Sequence, residues 1–460
     1  MNVLYLHTHD TGRVISPYGY KVPTPNYESF CQENLLFQNA FCVAPTCSPS
    51  RAGLLTGCYP HQNGMLGLAQ RGFELDKEKH LANFLKDRGF QTVLCGVQHE
   101  YAYYLDHDLA KEPLGYLEDI SCDCKKYEES DLIYWDQENA DGVCNWLESY
   151  NGEKPFFLSY GMHCTHREFP KEIHETINVD FSQPPINIFN NKITREDFAR
   201  YKTSLRIADG NIGKIVRKMK DINLYDQTII IITTDHGIAY PFSKCTLNDT
   251  GIGVLMAMRY PDAKLKSNSY DGLISHIDIF PTICDLLGLE KPDYLVGKSF
   301  AGIFKGEDYE GDDLIFAEIN FHTSYEPARC VRTKRYKYIR FFDEEYNKLN
   351  YSNIDSSPIK DFLKDYQLME VTKDYEALYD LYYDPVEQKN IIQNERYQEV
   401  AEELRKSMRL LMEKTKDPLL HGPIRIKPEW KVNKKECFLP GSKNEEDYES
   451  LGDNQYSSYH

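Results

Sequence analysis

The sequence predicts an α/β fold, a sheet sandwiched between helices, with a smaller carboxyl-terminal α+β subdomain. Three observations predict it. Apolar runs of strand length alternate with amphipathic stretches through the first three quarters of the chain. Several of those runs are continuously apolar, as strands covered by helices on both faces require. After about residue 325 the texture changes to short alternating strands and one long amphipathic stretch.

The expected strands of the large unit are 2–8, 36–41, 91–96, 155–161, 227–234 and 253–259, with a further one at 314–320. Helical patterns fall at about 26–34, 50–56, 78–88, 136–150, 195–220 and 277–287. Pro281 sits in the first turn of the last of these, where a missing N–H costs little. Beyond residue 325, 330–332 and 336–340 read as a hairpin around Thr333-Lys334-Arg335. Leu378-Tyr379-Asp380-Leu381 reads as a further strand before the Asp384-Pro385 turn. Val400, Leu404, Met408, Leu411 and Met412 recur at helical spacing and predict a helix over about 395–415. The expected division is an α/β unit over 1–325, an antiparallel sheet with one helix over 326–430, and a polar tail over 431–460 that wraps or frays.

The chain has 460 residues, enough for a sizeable core, and 53 Lys and Arg against 71 Asp and Glu leave a formal net charge of −18. That balance excludes a nucleic-acid partner, which needs a basic footprint. It leaves room for a small anionic substrate, because a few cations in a cleft outweigh a distant field that salt screens. No basic segment followed by an apolar run marks a signal peptide, and no apolar stretch approaches the roughly 20 residues of a spanning helix. Thirteen scattered cysteines suit reduced thiols and predict a soluble, cytoplasmic protein.

Chemistry in such sheets collects beyond the carboxyl ends of strands. Three expected strands run there into polar clusters: His7-Thr8-His9-Asp10, His163-Cys164-Thr165-His166-Arg167 and Asp235-His236-Gly237. Carboxylates and imidazoles converging from separate strands build either a metal site or an acid/base site. The sharpest motif is Cys47-Ser48-Pro49-Ser50-Arg51, continuing Ala52-Gly53-Leu54-Leu55-Thr56-Gly57. This segment resembles the formylglycine signature of the sulfatase family, whose cysteine is oxidised to an aldehyde. Asn2 to Gly12, Pro23-Thr24-Pro25-Asn26, Leu378 to Leu381 and Asp384 to Asn390 resemble further segments of that family. His61-Gln62-Asn63-Gly64-Met65 and the Asp417-Pro418 region are similar to its heparan N-sulfatase branch.

The resemblance implies an alkaline-phosphatase-like mixed sheet and hydrolysis of a sulfate ester or sulfamate on a sugar. It implies a divalent metal, usually Ca²⁺, and a maturation enzyme that converts Cys47. Carried over by position, Cys47 becomes the nucleophile and a metal contact, Arg51 anchors it, and Asp10, Asp235, His236 and His9 occupy the metal positions. His166 and Lys244 correspond to the groups that bind the anion and protonate the leaving group. His99 corresponds to the histidine of a G-K-x-H segment, and His322 is placed to reach the sugar. Three positions depart from the pattern: His9 replaces an aspartate, His236 replaces an asparagine, and Val97 replaces the lysine of G-K-x-H. Imidazoles in the first two positions suit Mn²⁺ or Zn²⁺ better than Ca²⁺, unless His9 bonds the substrate instead. Two other readings remain open: a phosphonate monoester or phosphodiester hydrolase with the same nucleophile, and a non-catalytic binding protein with Cys47 unconverted.

Overall fold

The computed structural model describes residues 1–101 and 111–449. Its centre is a nine-stranded mixed sheet built from β1 (Asn2–Thr8), β2 (Leu35–Phe41), β3 (Gln91–Gly96), β4 (Glu118–Asp119), β5 (Phe156–Gly161), β6 (Thr228–Thr234), β7 (Gly253–Val254), β8 (Met256–Arg259) and β9 (Ser269–Ser275). The spatial order is β4-β3-β5-β1-β6-β8-β2-β7, with β9 on β2. The central strands β3, β5, β1 and β6 run parallel, and β8 turns the sheet antiparallel. Every residue of β1, β5 and β6 is buried, which accounts for their continuous apolar runs.

Helices cover both faces. One apolar cluster lies under α2 (Cys47–Thr56) and the helix Ile279–Leu287; the other lies under α1 (Pro25–Glu33) and the helices Leu132–Ser149 and Lys192–Asp221. A separate antiparallel sheet follows in the order β10 (Ile315–Phe321), β11 (Tyr325–Arg332), β12 (Tyr336–Phe341) and β13 (Glu376–Asp380). The helix Gln398–Thr415 packs on it through Ala401, Leu404, Met408 and Met412. The division expected after residue 325 falls at the start of β11, between two paired strands, because β10 belongs to this second sheet.

Three elements differ from expectation for local reasons. The stretch 253–259 is two short strands, because the N–H of Leu255 donates to the Gly12 carbonyl and its own carbonyl accepts from Thr233 Oγ1. The helix expected over 78–88 is a 3₁₀ turn, Lys77–Lys79, and then Leu81–Lys86, because buried His80 caps the second piece with Nδ1 accepting from Ala82 N at 3.1 Å. Strand β9 carries polar residues and Gly272 where alternation would signal a strand. The tail wraps as far as residue 449: Val432, Asn433 and Cys437 are buried, and 450–460 lie outside the described residues.

Candidate active site

Strands β1, β5 and β6 end at one edge, since His7 pairs with Gly161 and Thr8 with Thr234. Their following loops therefore meet. Asp10 turns there in the left-handed region, φ 56°, and its N–H donates to Asp235 Oδ1 at 2.8 Å. Helix α2 delivers Cys47 to the same point from its first turn, with all ten of its residues buried. The seat is tight: a Cβ on Gly53 would lie 2.3 Å from Val43 Cγ2, and Gly57, at φ +64°, closes the helix by donating to Gly53 O at 2.9 Å.

One turn along α2, Arg51 Nη2 meets Asp235 Oδ2 at 3.0 Å and Nη1 donates to His7 Nδ1 at 2.5 Å. His7 therefore carries its proton on Nε2, which lies 3.3 Å from Ser159 Oγ. Arg51 thus anchors the Asp235 carboxylate, with Ser50 Oγ donating to the Asp235 carbonyl at 2.5 Å. His9 and His236 interleave with the two aspartates. His9 Nε2 is 3.3 Å from Asp235 Oδ2 and 3.7 Å from Asp10 Oδ1, and His236 Nε2 is 3.2 Å from Asp10 Oδ1 and 3.7 Å from Asp235 Oδ2. Cys47 Sγ is 3.4 Å from His236 Nε2 and 3.9 Å from Asp10 Oδ1.

Above this cluster opens a cavity of about 370 Å³, lined by Cys47, His99, His166, Lys244 and His322 among others. Lys244 Nζ bridges Asp10 at 2.8 Å and Asp355 at 3.1 Å. His166 Nε2 is 3.8 Å from Asp10 Oδ2, and its Nδ1 donates to the Arg167 carbonyl. His99 Nε2 lies 2.6 Å from Gln70 Oε1. The structure therefore brings all the sequence-predicted site residues to one place. Val97 does not face it: that side chain packs with Cys124, Leu132 and Trp135 in an apolar cluster. Asp355, Gln70 and Arg71 also line the cavity and were missed, because no motif surrounds them.

Electrostatics follow from burial. Burial pushes the Cys47 thiol well up, against the pull of Lys244 and with Asp10 and Asp235 adding to the rise, so an unmodified cysteine here is a protonated, poor nucleophile. Burial opposes the Asp235 charge, but His236 and Arg51 outweigh it and hold that carboxyl below its usual range. Burial likewise opposes the Lys244 charge, and Asp10 and Asp355 overcome it, keeping the ammonium protonated. Burial lowers His9, His99 and His322, so all three are neutral imidazoles near neutral pH.

These donors fit a divalent cation. Asp10, Cys47, Asp235 and His236 offer ligand atoms within 4.8 Å of one another, and His9, Asp10, Cys47 and His166 do the same. Two buried carboxylates facing each other are a site that positive charge stabilises. A third convergent group, His61, Glu318 and Asp417, is already saturated: Arg329 binds Asp417 at 2.5 and 2.9 Å, and Asn320 donates to Glu318 at 2.9 Å. It is an ion-paired joint that ties the short helix Pro60–Asn63 and the turn after the helix Gln398–Thr415 to the second sheet, and it brings the His61 and Asp417 segments together.

The fold is alkaline-phosphatase-like, with a buried cluster of carboxylates and imidazoles facing a cysteine on a helix amino terminus. The chain belongs to the sulfatase family, whose members are sulfuric ester hydrolases: the Sulfatase family model matches residues 1–289, and that of the N-sulphoglucosamine sulphohydrolase carboxyl-terminal region matches residues 235–376. It is 28% identical over 418 residues to an ulvan-active sulfatase of Formosa agariphila, covering 88% of this chain and 78% of that protein. It is 24% identical to the N-sulphoglucosamine sulphohydrolase of Homo sapiens, covering 92% of each. A solved phosphonate monoester hydrolase of Agrobacterium radiobacter shares the fold at TM-score 0.69 and 19% identity, over 93% of this chain and 100% of that one.

Proposed function

We propose that the protein removes sulfate from a sulfated saccharide, as an ester or sulfamate, with a formylglycine formed from Cys47. One observation carries the reading: Cys47 projects from the first turn of α2 into the cluster of Asp10, Asp235 and His236, at the floor of a cavity lined by the buried cation Lys244 among others. The names of the ulvan-active and N-sulphoglucosamine relatives support a sulfated sugar as the substrate.

Asp10, Asp235, His9 and His236 would hold the metal, and their two imidazoles favour Mn²⁺ or Zn²⁺ over Ca²⁺. When bound, that ion and the aldehyde of residue 47 supply an activated oxygen nucleophile and charge neutralisation. The remaining work falls to side chains. Lys244, fixed between two carboxylates, presents a permanent positive charge to the anion being transferred. His166 donates Nδ1–H to the Arg167 carbonyl, which turns Nε2 toward the cavity as the group that protonates the leaving oxygen or nitrogen. His99, neutral and hydrogen-bonded to Gln70, is poised to accept a proton from residue 47 in the second half of the reaction. His322 and Asp355 face the sugar end.

A phosphonate or phosphodiester hydrolase is the second reading, and the shared fold of the phosphonate monoester hydrolase keeps it in view. The compartment proposed is the cytoplasm, supported by thirteen free cysteines, twelve of them buried. A maturation enzyme is the required partner. The test is a paired assay on the full chain co-expressed with a formylglycine-generating enzyme, with the Cys47 peptide read by mass spectrometry. The reading predicts an aldehyde at residue 47 and a higher kcat/KM on an aryl sulfate than on the matching phosphonate. A retained thiol with undiminished activity, or the reverse preference, overturns it.

A further inference from the structure

Part of the cavity wall comes from the carboxyl-terminal segment: Pro440 and Gly441 line the same space as Cys47 and Lys244. That segment is built in. Arg71 Nη1 donates to the Lys431 carbonyl at 3.0 Å and to Asn433 Oδ1 at 2.9 Å, and Nη2 donates to the Pro440 carbonyl at 2.6 Å. Among the described residues Arg71 has no carboxylate partner, so its charge is spent on tail oxygens, in bonds stronger than neutral ones. Asn433, fully buried, donates to Pro440 O and to Ser352 Oγ, both at 3.1 Å. Lys360 Nζ holds the Phe438 carbonyl at 2.7 Å.

Arg71 also ties this wall to the reactive floor. It ends a 3₁₀ turn, Ala69–Arg71, in which Ala69 N donates to Ser48 Oγ at 3.1 Å and Gln70 bonds His99. One short turn therefore touches the nucleophile helix, the proton acceptor and the tail. The cavity, about 370 Å³, is at the low end of the roughly 300–1,000 Å³ of small-ligand pockets. A polymer passing through the site needs a groove open at both ends, and a segment held this firmly along one side of the space leaves less room for one.

Resting on the sulfatase reading, we propose that the segment at Pro440 and Gly441, positioned by Arg71, is the far wall of the substrate pocket and restricts the enzyme to a sulfated sugar at a chain terminus. Arg71 acts as a positioning residue, through the tail. Gly441 gives a direct handle, because a Cβ there meets no atom within 4 Å, so a larger side chain enters open space.

The experiment uses the matured full chain on three probes: phenyl sulfate, a large polycyclic aryl sulfate, and hexasaccharides with one sulfate per repeating unit prepared from ulvan and from N-sulfoglucosamine-containing chains. Mass spectrometry locates the sulfate lost. The proposal predicts that sulfate leaves from the terminal unit alone. It predicts that Gly441→Phe lowers the kcat/KM ratio of large to small aryl sulfate by at least about tenfold, and that Arg71→Gln raises it. A tail with a merely structural role shifts melting temperature in Arg71→Gln and leaves both ratios unmoved, which overturns the proposal. Loss of internal sulfates by the wild-type chain at a comparable rate also overturns it. Failure to release sulfate from any of the three probes sinks the sulfatase reading itself, a different outcome from either.

Discussion

The floor and the far wall of one cavity are made in opposite ways. The floor comes from three strand ends and one helix start, so each of its reactive groups sits inside a short contiguous cluster: His9-Asp10, Cys47 to Arg51, Asp235-His236. The wall comes from Arg71, His322, Asp355, Pro440 and Gly441, one or two side chains at a time from remote segments. Chemistry that needs several groups within hydrogen-bond reach is cheapest to build at parallel strand ends, where the backbone is already fixed. Shape around a sugar needs only occasional contacts, and any ordered loop can supply them.

Disabling the floor carries the largest expected effect. Cys47→Ala removes the nucleophile and lowers kcat/KM by at least about 10⁴-fold with the fold retained, as sulfate release and a thermal melt will show. His166→Asn is next, at about 10²–10⁴-fold on a saccharide. Its loss shrinks on an aryl sulfate with an acidic phenol, since that leaving group needs no proton. Equal losses on both substrates would assign His166 to anion binding.

The ion-paired joint on the second sheet sharpens the contrast through stability. Asp417→Ala strands buried Arg329 without its partner and costs about 3–5 kcal/mol in urea unfolding. The surviving folded fraction should hydrolyse phenyl sulfate with an unchanged KM, because Asp417 does not line the cavity.

The smallest effect is pH-dependent. Buried Asp136 accepts from His163 N and Cys164 N at 2.8 Å each, yet burial outweighs those bonds and raises its carboxyl to about 7. Between about pH 4 and 7 the unfolded chain therefore releases a proton that the folded chain keeps, so stability falls as pH rises through that window. Asp136→Asn makes this slope shallower, measurable as the change in unfolding free energy between pH 5 and 7, and leaves the share of Glu387, which burial likewise raises to about 7. A slope unchanged by the substitution would place its origin elsewhere.

The same contrast explains what was legible in the sequence. Strands β1, β5 and β6 showed as apolar runs because both their faces are covered, and the polar clusters at their ends marked the site before any contact was known. His9, Asp10, His166, Asp235 and His236 were nameable in this way, and Cys47 and Arg51 through their motif. Strand β9 was not, because an edge position tolerates polar residues and a glycine. Arg71 and Asp355 were not, because an arginine and an aspartate in polar stretches look like solvated surface until the tail and Lys244 fold against them. Arg51 was legible as a position; its bond to Asp235 and His7 was visible only in three dimensions. Val97 marked a missing cation in the sequence, and the structure shows why nothing polar is needed there: the side chain serves an apolar cluster beneath Trp135.

The most direct measurement is inorganic sulfate released from a monosulfated glucosamine by the matured chain, set beside the Cys47→Ala chain prepared identically. The account predicts sulfate equimolar with desulfated sugar from the first and none above background from the second. Equal release from both, or none from either with an aldehyde confirmed at residue 47, would contradict it.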